Sequence, residues 1–157
     1  MSVEKVREHL SRYGVEDRIR LFDVSSATVE LAAAAVGVEG ARIAKTLSFH
    51  DGGEGCILIV AAGDTKIDNA KFKAEFHMKA KMLTHEQALE MTGHAVGGVC
   101  PFALPDGVKT YTDVSLRRFE TVFPAAGSSN SAIELTPDEL FEISGAEKWI
   151  DVCKVRE

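Results

Sequence analysis

The alternation of apolar and polar residues is sharpest over residues 41–49. Ala41, Ile43, Lys45, Leu47 and Phe49 share one parity; Arg42, Ala44, Thr46 and Ser48 share the other. Successive side chains of a strand point to opposite faces, so this pattern predicts a strand with its apolar parity inward. Lys45 falls on that inward parity. Burying an unpaired ammonium costs several kcal/mol, on the order of what a small domain can spare. Either Lys45 gains an anion or a carboxylate partner, or its basicity is altered, or its stem carries the charge out to water.

The same patterning predicts the other elements. Val3, Val6 and Leu10 recur at helical spacing before Gly14, which gives a helix over residues 2–13. Residues 18–24 alternate as a short strand. Ser25, Ser26 and Thr28 are candidate N-caps for an alanine-rich helix ending near Gly37. Beyond the strand that holds Lys45, a turn over residues 51–55 leads to the continuous apolar run 56–62. The two strands should form a hairpin with the second one central, because it is apolar on both faces. Asp68 caps a helix through Phe76, and Thr84 with Gln87 forms a capping box for a helix ending at Gly93. Residues 110–112 form a strand, followed by a brief helix over 114–118 capped by Asp113. Strands at 121–123 and 131–135 flank a polar loop. Pro137 opens a helix over 137–143, and 149–152 is a last strand. Strands and helices interleave without a strict βαβ rhythm. The expected fold is therefore α+β: a mixed, largely antiparallel sheet, curled into a partial barrel and flanked by helices.

With 157 residues, one domain spanning 1–157 is expected. Hydrophobic residues are 45% and charged residues 27% of the chain, an ordinary balance for a soluble protein. No apolar run approaches the roughly 20 residues that span a bilayer. The N-terminal stretch has no signal-peptide core, so a cytoplasmic location and no membrane partner are expected. Cys56, Cys100 and Cys153 are scattered and odd in number, with no Cys/His spacing suited to zinc, so no metal or other cofactor is expected. The net charge of −6, from 18 basic and 24 acidic residues, counts against broad non-specific nucleic-acid binding. A local basic cluster remains: Lys66, Lys71, Lys73, Lys79 and Lys81 against Asp68 and Glu75. It is either a solvated surface or a phosphate contact.

Two loops could form the mouth of a pocket around Lys45. Gly97 and Gly98 remove two side chains, which lets backbone N–H groups approach a carbonyl or oxyanion, and Pro101 stiffens the exit. Gly127, Ser128, Ser129 and Asn130 offer hydroxyls and an amide, either to a small polar ligand or to their own turn. Cys100 with nearby His94 is a candidate nucleophile, or else a small buried hydrophobe.

Three stretches, in order, resemble the YbaK/prolyl-tRNA-synthetase-associated editing domain family. Residues 41–47 resemble that family's "xxAKTL" strand. The run from His94 through Val96 and Gly97 to Phe102 resembles its glycine-to-proline loop. Residues 126–130, followed by Ile133-Glu134-Leu135 and Pro137-Asp138-Glu139-Leu140, resemble its C-terminal loop, strand and helix. The resemblance implies a trans-acting aminoacyl-tRNA deacylase that cleaves the ester of tRNA for proline mischarged with cysteine or alanine. It implies metal-free catalysis assisted by a hydroxyl of the terminal adenosine. It places the family's essential lysine at Lys45 and its carbonyl-holding loop at Gly97 and Gly98. Val99, Cys100, Pro101, Phe102 and Gly127–Asn130 fall at substrate-contacting positions. The acceptor end of aminoacyl-tRNA is the implied partner, with prolyl-tRNA synthetase as a second.

Many members carry Ser where this chain has Cys100, a second Gly where it has Ala103, and Gly or His in place of Ser128-Ser129. These positions are expected to tune the pocket. Two alternatives stand beside the deacylase. One is a non-catalytic module of the same fold that holds tRNA ends or nucleotides. The other is a cysteine hydrolase built on Cys100.

Overall fold

Cys56–Ala62 forms a strand, β3, whose seven residues are all buried. The computed structural model describes residues 2–95 and 97–156, so Val96 of the glycine-bearing stretch lies outside the described residues. Residue alternation explains why β3 is apolar throughout. Ile57, Ile59 and Ala61 enter one core with Phe49, Phe72 and Val152. Val60 and Ala62 enter another with Val6, Leu10, Phe102, Ile133 and Leu140. A strand covered on both faces cannot keep a polar parity. Deleting a fully buried phenyl such as Phe72 would cost about 3–5 kcal/mol.

The expected hairpin is present. β2, Ile43–His50, pairs antiparallel with β3 from Ala44↔Ala62 to His50↔Cys56. Three further strands complete a five-stranded sheet. β5 (Lys109–Asp113) lies parallel to β3, β8 (Trp149–Ile150) parallel to β5, and β6 (Phe123–Pro124) parallel to β2. The sheet is mixed. Its longest junction is antiparallel, the other three are parallel, and it stays open instead of closing into a barrel.

Two small antiparallel ribbons flank it. β1 (Ile19–Leu21) pairs with β7 (Ser131–Ile133), so the strands expected over 18–24 and 131–135 are shorter than their sequence patterns. β4 (Thr65–Ile67) pairs with β9 (Cys153–Val155), and neither was expected from the sequence.

The helices follow their caps. α1 covers Ser2–Ser11, α2 Val29–Val36, α3 Asn69–Phe76, α4 His85–Thr92 and α5 Pro137–Ser144. Among the three candidate caps of α2, Thr28 accepts the Leu31 N–H. Asp68 accepts from Ala70 and Lys71 at the start of α3. Thr84 with Gln87 and Thr136 with Glu139 form reciprocal capping boxes. Each such cap is worth about 1 kcal/mol. The stretch 114–118 is a 3-10 helix capped by Asp113. Among the described residues, no helix is long and apolar enough to cross a membrane.

The turn between β3 and β4 seats α2 against the sheet. A Cβ on Gly63 would lie 2.1 Å from the Gly40 carbonyl oxygen and 2.8 Å from Val29 Cγ1. At Gly40 the nearest atom is Val29 Cγ1 at 3.4 Å, so a methyl group there meets little resistance. Gly63→Ala is therefore expected to destabilise by about 1–3 kcal/mol, as overpacking does, while Gly40→Ala costs less. Urea denaturation of the two variants checks this ordering, and equal midpoints would contradict it.

Candidate active site

Strand β2 is paired on its outer edge only at its two ends. β6 covers Ile43 and Ala44. At the far end, Leu83 N–H donates to Ser48 O (3.1 Å) and His50 N–H donates to Lys81 O (2.9 Å), with a bridge between Phe49 and Met82. Among the described residues, no strand covers Lys45, Thr46 and Leu47 on that edge. Backbone polar groups alternate in direction along a strand. Because Ser48 and His50 point outward to 81–83, the N–H and C=O of Thr46 also point into the gap.

A cavity of about 280 Å³ occupies this gap. Its lining is mixed: small residues such as Ala27, Ala32 on α2, Ala88 on α4, and Ser131 with Ala132 on β7 stand beside the larger Ile43, Met82, Leu83 and Phe123. Gly97 and Val99 contribute from the glycine-bearing loop, and Lys45 and Thr46 from β2. The Thr46 Oγ1 is buried with no hydrogen-bond partner among the described residues.

Lys45 is half-buried, and its Nζ donates to the backbone carbonyl of Thr65 on β4. Burial lowers its pKa below the ordinary lysine value. Cys153, Asp64 and Glu30 act to raise it and Arg156 to lower it further, all as smaller effects. The inward lysine of the sequence pattern thus meets a carbonyl oxygen, supplied by a strand that the pattern did not reveal.

The two polar loops pack on each other. A Cβ on Gly98 would sit 2.8 Å from Ser128 Cα and 2.9 Å from Ser128 N. Gly97 has φ +84°, and its Cβ would lie 2.9 Å from that of Ala27 and 3.3 Å from that of Ser129. The missing side chains make room for neighbouring backbone. A larger residue at Gly98 would displace the Ser128 loop before it touched any ligand.

In residues 127–130 the polar atoms serve their own turn. Ser128 Oγ bonds Asn130 Oδ1 (2.7 Å), and Asn130 Nδ2 donates to Phe22 O (3.0 Å). Ser26 N–H donates to Ser129 O, and Gly127 sits at φ +101°. Of the substrate-contacting positions expected from sequence, Val99 lines the cavity, whereas Gly127–Asn130 brace its loop from behind.

Cys100 and Phe102 are fully buried in the core and do not line the cavity. Pro101 lines a separate hollow beside α1, with Lys5, His9 and Arg12. The Cys100 Sγ lies 3.6 Å from His94 Nε2, yet that nitrogen is 2.8 Å from Phe102 O. A nitrogen facing a carbonyl must carry the proton, so it cannot also accept one from the thiol. Burial pushes the Cys100 thiol up to about 12. Both observations favour the buried small hydrophobe over the nucleophile. Ala103, at the family's second glycine position, adopts φ +54°, a conformation that suits glycine better.

Thr46, Ser131 and the lining alanines were not singled out from sequence. A candidate signal was present only for Thr46, as the neighbour of Lys45; small wall residues carry none.

Residues 23–143 match the aminoacyl-tRNA editing domain, and the chain belongs to that family. It is 56% identical over 154 residues to the uncharacterised Bacillus subtilis protein YwhH, covering 98% of each chain. It is 26% identical over 121 residues to EbsC of Enterococcus faecalis, named as a candidate Cys-tRNA(Pro)/Cys-tRNA(Cys) deacylase, covering 76% of this chain and 74% of that one. The crystal structure of a candidate trans-editing enzyme for prolyl-tRNA synthetase superposes with a TM-score of 0.86 at 30% identity, covering 98% of this chain and 97% of that one.

All three cysteines are buried, and the thiols of Cys100 and Cys153 are both pushed up to about 12 by burial. Thiol-disulfide reagents at pH 8 should therefore label the native protein slowly and the urea-unfolded protein at once. Rapid labelling of Cys100 in the folded state would restore it as a candidate nucleophile.

Proposed function

We propose that this protein hydrolyses the ester bond of mischarged aminoacyl-tRNA in trans, with tRNA for proline carrying cysteine or alanine as the substrate. The observation that carries the reading is the half-buried Lys45 on the wall of a small cavity, beside a stretch of strand edge left open to a ligand. Family membership and the names of EbsC and the trans-editing structure support the substrate class. A cavity of about 280 Å³ suits a small side chain, and exclusion by size is the usual logic of editing sites.

In this reading the aminoacyl group enters the gap at Lys45–Leu47. Water adds to the ester carbonyl, the bond to the ribose oxygen breaks, and the amino acid and a free ribose hydroxyl leave. A hydroxyl of the terminal adenosine accepts the proton from water as it passes its own to the departing ribose oxygen. Lys45 turns its ammonium from Thr65 O toward the negative charge of the terminal nucleotide. The backbone of Gly97 faces the aminoacyl carbonyl as charge develops, while the Gly98 N–H, donated to Ala95 O (2.9 Å), holds the loop in shape. Val99 contacts the substrate directly; Cys100, Pro101 and Phe102 hold the loop from within. The chemistry needs no metal or other cofactor. Among the described residues, no group of three or more His, Cys, Asp or Glu side chains is gathered where a metal ion could be held. The protein works in the cytoplasm and engages prolyl-tRNA synthetase while its substrate is released.

Lys45→Ala is expected to abolish deacylation and leave the fold intact. The protonated form of Lys45 opposes folding, because burial lowers its pKa relative to the unfolded chain. That opposition is present in full below the depressed pKa and disappears as the pH climbs from there to the ordinary lysine value. Single-turnover assays on tRNA for proline charged with Pro, Ala, Cys and Ser test activity and specificity together. Near-normal turnover by folded Lys45→Ala protein would rule out the role given to the lysine. Activity should survive exhaustive chelation and Cys100→Ser, and loss in EDTA would disprove metal independence.

The pH profile offers an independent check. If protonated Lys45 is the active form, enzyme-catalysed turnover, corrected for spontaneous ester hydrolysis, should decline at a pH below that of an ordinary lysine, roughly 10.4. A rate that holds level to about that pH would count against the assignment.

A further inference from the structure

The ribbon that supplies the Lys45 acceptor has an unusual outer face. Lys66 on β4 and Lys154 on β9 are direct register partners, and both are exposed. Opposed residues of an antiparallel pair lie on the same face, about 4.5–5.5 Å apart at Cβ, where like charges repel and destabilise the pairing. Exposed Arg156 lies two residues beyond Lys154, about 7 Å further along an extended chain. The alternate residues Thr65 and Cys153 turn inward and are buried.

The acidic groups around this face have other hydrogen-bond partners, although the Asp68 charge also acts on Lys154. Asp64 takes both arms of Arg118, at 2.5 and 3.0 Å. Asp68 caps α3 through two backbone N–H groups. Asp151 holds Lys71, and Glu75 holds Lys148. Lys66, Lys154 and Arg156 have no ion-pair partner among the described residues. The basic cluster noted in the sequence is thus divided: Lys71 is tied into the fold, while Lys66 joins two cations from the far end of the chain. The ribbon is tied to the cavity wall through Lys45, whose Nζ donates to Thr65 O, although no ribbon residue lines the cavity itself.

We propose that the outer face of the β4–β9 ribbon is a phosphate-binding ridge, on which Lys66, Lys154 and Arg156 hold the backbone of the RNA strand whose end enters the cavity. The inference rests on the aminoacyl-tRNA reading and gives it a docking surface. Three cations in a row, with no direct ion pair and only the Asp68 carboxylate near Lys154, suit the successive charges of a polyanion better than a single carboxylate. The repulsion between Lys66 and Lys154 is relieved when phosphates arrive. A ridge this short is compatible with a net charge of −6, and it predicts a shallow salt dependence.

The test is fluorescence anisotropy with an uncharged RNA hairpin bearing a single-stranded 3′ end, titrated at several salt concentrations. Because the RNA carries no amino acid, the readout does not depend on hydrolysis. The Lys66→Gln/Lys154→Gln double variant should bind about tenfold or more weakly. Its slope of log affinity against log salt should shrink by about 1.4–1.8, the loss of two phosphate contacts. A Lys5→Gln/Lys109→Gln control should change neither. Lys154→Glu should also weaken RNA binding while the protein stays folded, because the new attraction to Lys66 offsets the repulsion it gains from Asp68.

Wild-type affinity and slope in the double variant would overturn the ridge. So would an equal loss in the control, or a loss of affinity that tracks a loss of fold. If wild-type protein fails to bind the hairpin at all, the aminoacyl-tRNA reading fails with it. Binding by wild type and double variant alike removes only the ridge.

Discussion

The seven residues of β3 expose almost nothing to water, and both layers of the fold lean on them. Each turn of the chain onto either face buries apolar surface against Ile57, Ile59 and Ala61 or against Val60 and Ala62. At about 25 cal/mol per Å² of apolar area, a strand buried on both faces contributes more per residue than any half-exposed element could. β2 is fixed by its seven-residue ladder to β3, so its register, and with it the position of Lys45, is set by the most buried part of the molecule. A one-residue slip would send Lys45 to the opposite face and bring Thr46 in its place.

That rigidity places a charged group where it is not at ease. Lys45 keeps one acceptor, the Thr65 carbonyl, on a turn locked by other contacts. Thr65 Oγ1 donates to Ala62 O, Ser115 Oγ accepts from Ala62 N–H, and Asp64 is clamped by Arg118. The ammonium is therefore held at a defined point while remaining short of a full carboxylate partner. An anion at this point would meet a partly desolvated ammonium, which strengthens the interaction relative to a lysine free in water.

Much of this was legible in the sequence, and the parts that were not share physical causes. The hairpin, the buried central strand and the threonine and aspartate caps have local signals: period-two alternation, an unbroken apolar run, a hydroxyl or carboxylate placed before a helix. The parity of Lys45 was equally visible. Its acceptor was not, because β4 and β9 are three residues long and their outward positions carry Lys66 and Lys154, which read as ordinary surface. The glycines at 97 and 98 were singled out as positions where backbone N–H groups could approach a ligand, and at Gly98 the backbone that approaches is that of Ser128. Cys100 looked reactive by its neighbour His94, and only the Phe102 carbonyl, brought near by the loop, shows where the histidine proton lies. The alanines that share the cavity lining leave no mark on a sequence at all.

The gap along the outer edge of β2 has a consequence for the behaviour of the protein in a crowded solution. An open strand edge normally recruits strands from other chains and leads toward aggregation. Here, among the described residues, three residues, Lys45–Leu47, are uncovered, with β6 on one side and the 81–83 segment on the other. A foreign strand needs several consecutive residues to form a stable ladder, and both flanks physically exclude it. The molecule can thus offer strand-edge hydrogen bonds to a small ligand while denying them to another polypeptide, a form of selectivity set by the length of the opening alone.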